Sequence, residues 1–478
     1  MSEEATDKQQ SGQKLLGLIP MDWRFDLTSI PGVRWLFKQR WFPTVPILVN
    51  MFIFMVILAS GVVGGFMAGN YSFGIMIVWI LWWVLLMMLL VPVLSRTWCM
   101  VCPLPSFGEW LQRLRIFGVN RELGGLQKKW PKMLNNMWLM NILFLATTFF
   151  SGFFTVKPFA TFVLLGGIIV IAIVISLIFE KRTFCLYICP VSGFQGLYSN
   201  VAMTEIRRDD CDMCQKHRKK TCVTGTSKGY GCPWMLKPHS FDRNTYCGMC
   251  LECFKTCPFD NVNFNLRPPG VDLLKEEKRG LDEAWKGFIM LGIAIMFYSA
   301  MMGPWGWLKD WVRGASFGGW ASFAAIHATF SLAVIPGLFF VFAWFSKLFS
   351  GEKEVSMKAA FINLSYSLVP MGLAAWIAFS FGFLLPNGSY IIHVISDPLA
   401  WGWDLLGTAE FPWTPVLTGW LVPLQYIVLF GGYLFSADIA YKLCEQTYAD
   451  KSAARRGFLP VLAFLSGIVI FFGWLYGG

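Results

Sequence analysis

From about residue 45 onward, long apolar runs alternate with short polar ones. A helix needs about 20 apolar residues, at about 1.5 Å rise each, to cross a bilayer. Runs of that order fall at about 45–68, 73–94, 137–156 and 159–180, and again at about 287–307, 323–348, 358–385, 416–437 and 458–476. A mixed, charged lead-in over 1–44 precedes them, and a polar, cysteine-rich stretch separates the fourth run from the fifth. The pattern predicts a polytopic α-helical membrane protein of about nine transmembrane helices. Its expected sections are 1–44 (a cytoplasmic lead-in), 45–200 (four helices), 201–270 (a polar insert), 271–286 (a linker) and 287–478 (five helices).

Composition agrees. The chain is 55% hydrophobic and 14% charged, with a mean hydropathy of +0.53, more apolar surface than a soluble domain has use for. The net charge of +11 sits in the loops. Every second loop is basic, apart from a weak exception at Lys309 and Arg313; 96–132 and 442–456 are basic, whereas 69–72 and 386–415 hold no Lys or Arg. The positive-inside rule then puts the N-terminus and the insert in the cytoplasm and the C-terminus outside, in a bacterial or archaeal inner membrane. The lead-in has no apolar h-region, so the mature chain is expected to start near Met1. It ends in a basic, aromatic stretch (Arg34, Trp35, Lys38, Arg40, Trp41) suited to lipid headgroups.

Twelve of the 13 cysteines fall in ligand-like groups; Cys444 stands alone and reads as structural. The insert carries eight. Its second half, Cys247-Gly-Met-Cys250-Leu-Glu-Cys253-Phe-Lys-Thr-Cys257-Pro258, is the C-x2-C-x2-C-x3-C-P run of bacterial two-cluster ferredoxins, whose fourth cysteine ligates the other cluster. The first half is a looser copy: Cys211, Cys214, then Cys222 after seven residues, then Cys232-Pro233. The crossing rule assigns Cys211, Cys214, Cys222 and Cys257 to one [4Fe–4S] cluster and Cys232, Cys247, Cys250 and Cys253 to another. The insert is therefore expected to be a two-[4Fe–4S] ferredoxin-like domain. Zinc-knuckle spacing is the alternative, but it strands four cysteines, and a reducing cytoplasm disfavours disulfides. Between residues 204 and 267, 11 Lys/Arg against 7 Asp/Glu leave +4, an offset to anionic clusters that calls for no nucleic acid.

A duplication precedes the insert. Arg96-Thr97-Trp98-Cys99…Cys102-Pro103 recurs as Arg182-Thr183-Phe184-Cys185…Cys189-Pro190, each time after a pair of apolar runs. Cys99, Cys102, Cys185 and Cys189 read as a third Fe–S or other soft-metal site, as two redox-active dithiols, or as polar turn residues.

Paired transmembrane Cys-Pro motifs followed by a double ferredoxin-type segment resemble the membrane polyferredoxins of the NapH/NosR type. The resemblance covers about 45–270. That family's usual C-x3-C-P is matched by Cys185/Cys189, while Cys99/Cys102 is one residue shorter. The resemblance implies a membrane-bound iron–sulfur electron-transfer protein, quinol dehydrogenase-like in setting, relaying electrons between a cytoplasmic-side or quinone pool and a partner redox enzyme. The rival expectations are an assembly or maturation factor for a metalloenzyme and a redox-sensing transporter.

The C-terminal half holds few chemical groups. His327, Asn363 and Gln425 lie within apolar runs and are the candidates for a quinone pocket or proton path, with a hydrogen-bonded bundle residue as the plainer reading. Pro336, Pro370 and Pro423 read as kinks or breaks. Loop 386–415, with Asp397, Asp404, Glu410 and several tryptophans, reads as an interfacial element or a docking surface for an outside redox partner.

Overall fold

A computed structural model describes residues 12–64, 69–120, 122–276, 279–303 and 305–477. The expected lead-in, first apolar run, linker and C-terminal section each extend partly outside them. Among the described residues, eight helices are long and apolar enough to cross a membrane: Trp41–Val63, Phe73–Leu94, Pro158–Ile178, Leu281–Met302, Phe317–Ser350, Met357–Asn387, Thr418–Thr447 and Lys451–Gly477. The ninth expected run, 137–156, is instead divided into Trp138–Thr148 and the single turn Ser151–Phe154. The hydroxyls of Thr147 and Thr148 bond back to the Phe144 and Leu145 carbonyls at 2.7 and 2.6 Å, where the helix stops. Its 11 residues rise only about 16 Å.

The chain forms two compact units, each drawn from three stretches. The first comprises residues up to Val56, Leu89–Met140 and Val163–Lys275. It contains an antiparallel sheet in which Val262–Leu266 lies between Phe25–Asp26 and Thr204–Arg208. Val262 and Phe264, two residues apart and thus on one face, join Ile206, Phe241, Met249 and Phe254 in a buried core.

The edge strand Phe25–Asp26 comes from the lead-in, which sequence reading had taken to the lipid headgroups. Its basic side chains are committed instead to the cysteine-rich segment: Arg34 and Lys38 pair with Asp260, and Arg40 with Glu252. Phe37 packs against Phe254 and Phe264. Two residues per strand is too short for a propensity signal, and the acidic partners lie more than 200 positions away.

A buried ionic network holds this unit's loops. Arg267 is fully buried and bonds Glu205 and both carboxylate oxygens of Asp272. Asp272 also accepts from Arg207 and from the Asn244 backbone amide at 2.6 Å. The Asn244 side chain bonds the Thr204 carbonyl and Ser95, tying the turn before Cys247 to the strand and to the duplicated motif.

The second unit comprises Ile57–Met88, Asn141–Phe162 and the chain from Glu276 onward. Helix Leu421–Thr447 lies against Leu368–Asn387 so closely that a Cβ on Gly432 would stand 2.2 Å from that of Ala374, the small-residue contact that lets apolar helices approach. Trp376 is buried with Trp83, Phe297 and Phe379 around it. Pro370 and Pro423 stand in the first turn of their helices, where no intrahelical donor is lost; Pro336 follows a π-helical stretch, Phe330–Val334. In the 386–415 loop, Asp397 accepts from the Trp401 and Gly402 amides and Asp404 from Ser396 and Ala409. Those carboxylates organise turns.

Removing one partner from a buried ionic network leaves the others charged and unpaired. Arg267→Ala is therefore expected to lower stability by about 3–5 kcal/mol, read as a lower denaturant midpoint of the detergent-solubilised protein.

Candidate iron–sulfur sites

The twelve grouped cysteines all lie in the first unit, and each is a free thiol. Cys211 and Cys214 stand on the short helix Cys211–Lys216, whose N-cap Asp210 accepts from the Met213 amide. Asn261 binds the Asp210 carbonyl at 2.7 Å and donates to the Cys214 Sγ at 3.3 Å, while its backbone amide meets the Cys257 Sγ at 3.4 Å. The Cys232 amide donates to the Cys222 carbonyl at 2.7 Å. Burial raises the Cys222 thiol, and charge on Cys214 and Cys257 raises it further; Cys214 responds likewise to Cys257 and Cys211. Cys214, Cys222 and Cys257 line one concavity, and Cys211 precedes Cys214 on the same helix.

A second group comprises Cys232, Cys247, Cys250 and Cys253, all buried. Burial pushes the Cys232 thiol up to about 12, with Cys247 adding to it. The Cys253 thiol is raised by burial and by Cys232, Cys250, Cys247 and Cys222, in that order. Here the backbone supplies donors. The amides of Trp234 and Leu236 point at Cys232, that of Met249 at Cys247 and that of Glu252 at Cys250. Met235, Met249 and Leu251 all hold left-handed backbone, strained for residues with a Cβ. Such turns aim successive N–H groups into one concavity, the anion-binding nest found at many Fe–S sites.

The duplicated motif builds a third group. The residue before each motif, Ser95 or Lys181, is left-handed. A five-residue helix follows in each copy, and then a longer one, Pro103–Arg113 or Pro190–Tyr198, with proline at N1 and Cys102 or Cys189 as N-cap. Two helix N-termini, each the positive end of its dipole, therefore meet the thiols. Burial raises Cys102, and charge on Cys189 and Cys99 adds to it; Cys185 is raised by burial and then by Cys189, with Cys99 and Cys102 contributing. The four thiols come together across the repeat.

Two arginines link the groups. The Arg182 guanidinium forms a two-pronged pair with Glu109, donates to the Cys99 carbonyl at 2.7 Å and lies within the field of both Cys185 and Cys250. Burial opposes the Glu109 charge, yet Arg113 and Arg182 hold its carboxyl below the usual range. Arg96 stacks on Trp234 at 4.4 Å, donates to the Thr245 carbonyl and Ser192, and lies 3.8 Å from the Cys99 Sγ. It acts on Cys189 and Cys247 alike.

The donor sets fit Fe–S ligation. Each offers four thiols, two are ringed by N–H donors of the kind that set cluster potentials, and fixed positive charge faces the third. Among the described residues no three His, Cys, Asp or Glu side chains gather around a single metal ion; a four-iron cube carries its thiolates at its corners, so convergence on one point is not required of these sets. Burial pushes the Cys189 thiol up to about 11, and the Ser192 and Val191 amides offset part of that.

The other candidates lie apart. His327 is buried among Phe149, Phe297 and Phe323, and neither ring nitrogen has a hydrogen-bond partner among the described residues. Asn363 bonds Arg279 and Thr447, and Gln425 donates to the Ala378 carbonyl. These are three separate settings. Sequence reading quoted Arg96 and Arg182 within the repeat but assigned them no role; their recurrence was the available signal. Asn261, Glu109 and Trp234 had none.

A family model described as a 4Fe-4S binding domain matches residues 75–122 and 162–207. The two segments are the two copies of the duplicated unit, with Cys99/Cys102 in one and Cys185/Cys189 in the other. The chain thus carries a ferredoxin-type iron–sulfur binding domain. No curated protein and no solved structure matches it.

A Cβ on Gly248 would stand 2.0 Å from the Trp234 indole nitrogen, so Gly248→Ala must displace the ring under Arg96. It is expected to lower the iron and acid-labile sulfide bound per chain. Gly167→Ala, with open space around the new methyl, is expected to leave both unchanged.

Proposed function

We propose that this is a membrane-integral iron–sulfur electron-transfer protein of the NapH/NosR polyferredoxin kind. It would carry one-electron traffic between a donor on the cytoplasmic side and a partner redox enzyme. The observation that carries this reading is the continuity of the three thiol groups within one compact unit: Cys222 neighbours Cys253, and Arg182 faces both Cys250 and Cys185. Cys211, Cys214, Cys222 and Cys257 would hold one [4Fe–4S] cluster, Cys232, Cys247, Cys250 and Cys253 a second, and Cys99, Cys102, Cys185 and Cys189 a third. Iron–sulfur clusters, when bound, supply reversible one-electron chemistry with potentials set by hydrogen bonds, charge and burial.

The protein's own part is to hold and tune. Asn261 donates to two sulfurs of the first set, the left-handed turns aim amides at the second, and two helix N-termini and two guanidinium groups offset negative charge at the third. His327, Asn363 and Gln425 stand in separate settings, and a quinone is no part of this reading. Eight apolar helices support a multi-pass membrane location; the alternating basic loops, with the broken 137–156 run counted as a crossing, favour the cytoplasmic side for the cysteine groups.

EPR-monitored redox titration, with iron and sulfide analysis, tests this reading. Cys253→Ser and Cys185→Ser are each expected to remove a different reducible species and the iron that goes with it. Zinc in place of iron, or iron unchanged in Cys185→Ser, would overturn the assignments. Normal cluster content and electron transfer alongside an inactive partner enzyme in a deletion strain would favour a maturation factor. Ion flux persisting without clusters would favour a transporter.

A further inference from the structure

We infer that the seven-residue insert between Cys214 and Cys222 forms a basic docking rim for a small acidic one-electron carrier protein, set around the most open of the cysteine groups. The inference rests on the electron-transfer reading. All four thiols of the first set are partly exposed, whereas the second set is wholly buried and the third has three of four buried. A concavity of about 360 Å³, partly open to solvent, is lined by Cys214, Cys222 and Cys257 together with His217, Lys220 and Phe259. It is where the first set meets bulk water.

The insert reads Gln-Lys-His-Arg-Lys-Lys-Thr. Its length exceeds what ligation of a cube by closely spaced thiols requires, and its composition is five basic or imidazole groups in a row. It is held firmly. The His217 amide bonds the Met213 carbonyl, the His217 ring stands edge-on to Phe259 at 5.2 Å, and Lys220 donates to the Cys214 and Gln215 carbonyls at 2.6 and 3.1 Å.

Lys216, Arg218 and Lys219 are left pointing outward, exposed and without an ion pair among the described residues. The nearby acids are partly committed: Asp210 caps the Cys211–Lys216 helix, and Asp260 pairs with Arg34 and Lys38. Phe259, half exposed beside Cys257, adds an apolar contact. An apolar contact within a charged rim suits a brief encounter. Complementary charge accelerates and orients such encounters more than it tightens them, and redox complexes bury little area.

An acidic carrier fits better than an anionic lipid surface. The exposed cations lie on the loop that joins two partly open thiols, near an exposed ring, a grouping that serves electron exchange and that lipid anchoring does not require. In the encounter the reduced carrier gives up one electron and is oxidised, and the group held by the first set takes that electron; no proton or bond changes hands.

The test compares the full-length protein with a Lys216→Glu, Arg218→Glu, Lys219→Glu variant. An acidic ferredoxin, reduced and freed of excess reductant, is mixed with each in stopped flow, and the methyl viologen radical serves as a small cationic control. At low ionic strength the variant's rate with ferredoxin is expected to fall by about tenfold or more, and its salt dependence to flatten. Iron content, EPR spectrum and the viologen rate should hold. Equal rates for both proteins, a salt-independent rate in the parent, or reduction by viologen but never by ferredoxin would overturn the docking surface while leaving the electron-transfer reading intact. An iron-free parent would instead sink that reading. Tryptic cleavage of the insert slowed in phosphatidylserine vesicles but not in phosphatidylcholine vesicles would assign the rim to lipid and also overturn the proposal.

Discussion

The buried guanidinium group is the interaction on which the arrangement of cysteines depends. Thiols that surround a cube must be delivered by loops and helix ends, because neither helix nor strand periodicity brings four of them around one volume. Loops lack a hydrogen-bond ladder of their own. Arg267, Arg207, Arg182 and Arg96 supply the missing cross-ties. A guanidinium has five N–H donors in a rigid fork and cannot lose its charge, so a single side chain can bind carbonyls and carboxylates from several loops at once. The cost of burying it is several kcal/mol unless every donor is matched. Glu205, Asp272 and Glu109 match most of its donors where carboxylates are available and backbone carbonyls do so elsewhere, while Arg96 Nε has no partner among the described residues.

The backbone carries a second share of the work. Left-handed residues other than glycine cost of order 1–3 kcal/mol each, yet Met235, Met249 and Leu251 adopt that conformation around the second set, and Ser95 and Lys181 begin each copy of the duplicated motif. Tight turns point amides toward sulfur at the expense of local comfort. That expense is sustained by the surrounding core: Phe254, Met249 and Leu251 are buried together with Cys247 and Cys253.

What could be read in the sequence follows from the range of the signal. Hydropathy over 20 residues is a strong local signal, and eight of the runs it marks are helices of spanning length. The 137–156 run is broken at Thr147 and Thr148, a feature that leaves its mean hydropathy unaltered. Cysteine spacing is likewise local, and the Arg-Thr-aromatic-Cys repeat exposed the duplication that the family match covers. Long-range partners were illegible. Nothing near Phe25 marks it as an edge strand beside Leu266, and nothing near Asn261 marks its amides for Cys214 and Cys257. His327, Asn363 and Gln425 looked like one functional group only because polar residues are scarce in apolar runs.

Among the positions at which the two copies of the Cys-Pro unit differ, one changes the local charge. Glu109 reaches across to Arg182, and its counterpart 87 residues later is Gly196. A Cβ there would stand 2.6 Å from the Thr245 carbonyl, the oxygen that accepts from Arg96 in place of a carboxylate. One guanidinium is thus neutralised and the other is left with its full charge. The four sulfurs therefore sit in an uneven electric field, with a carboxylate-matched guanidinium in one copy of the unit and a carbonyl-bound one in the other.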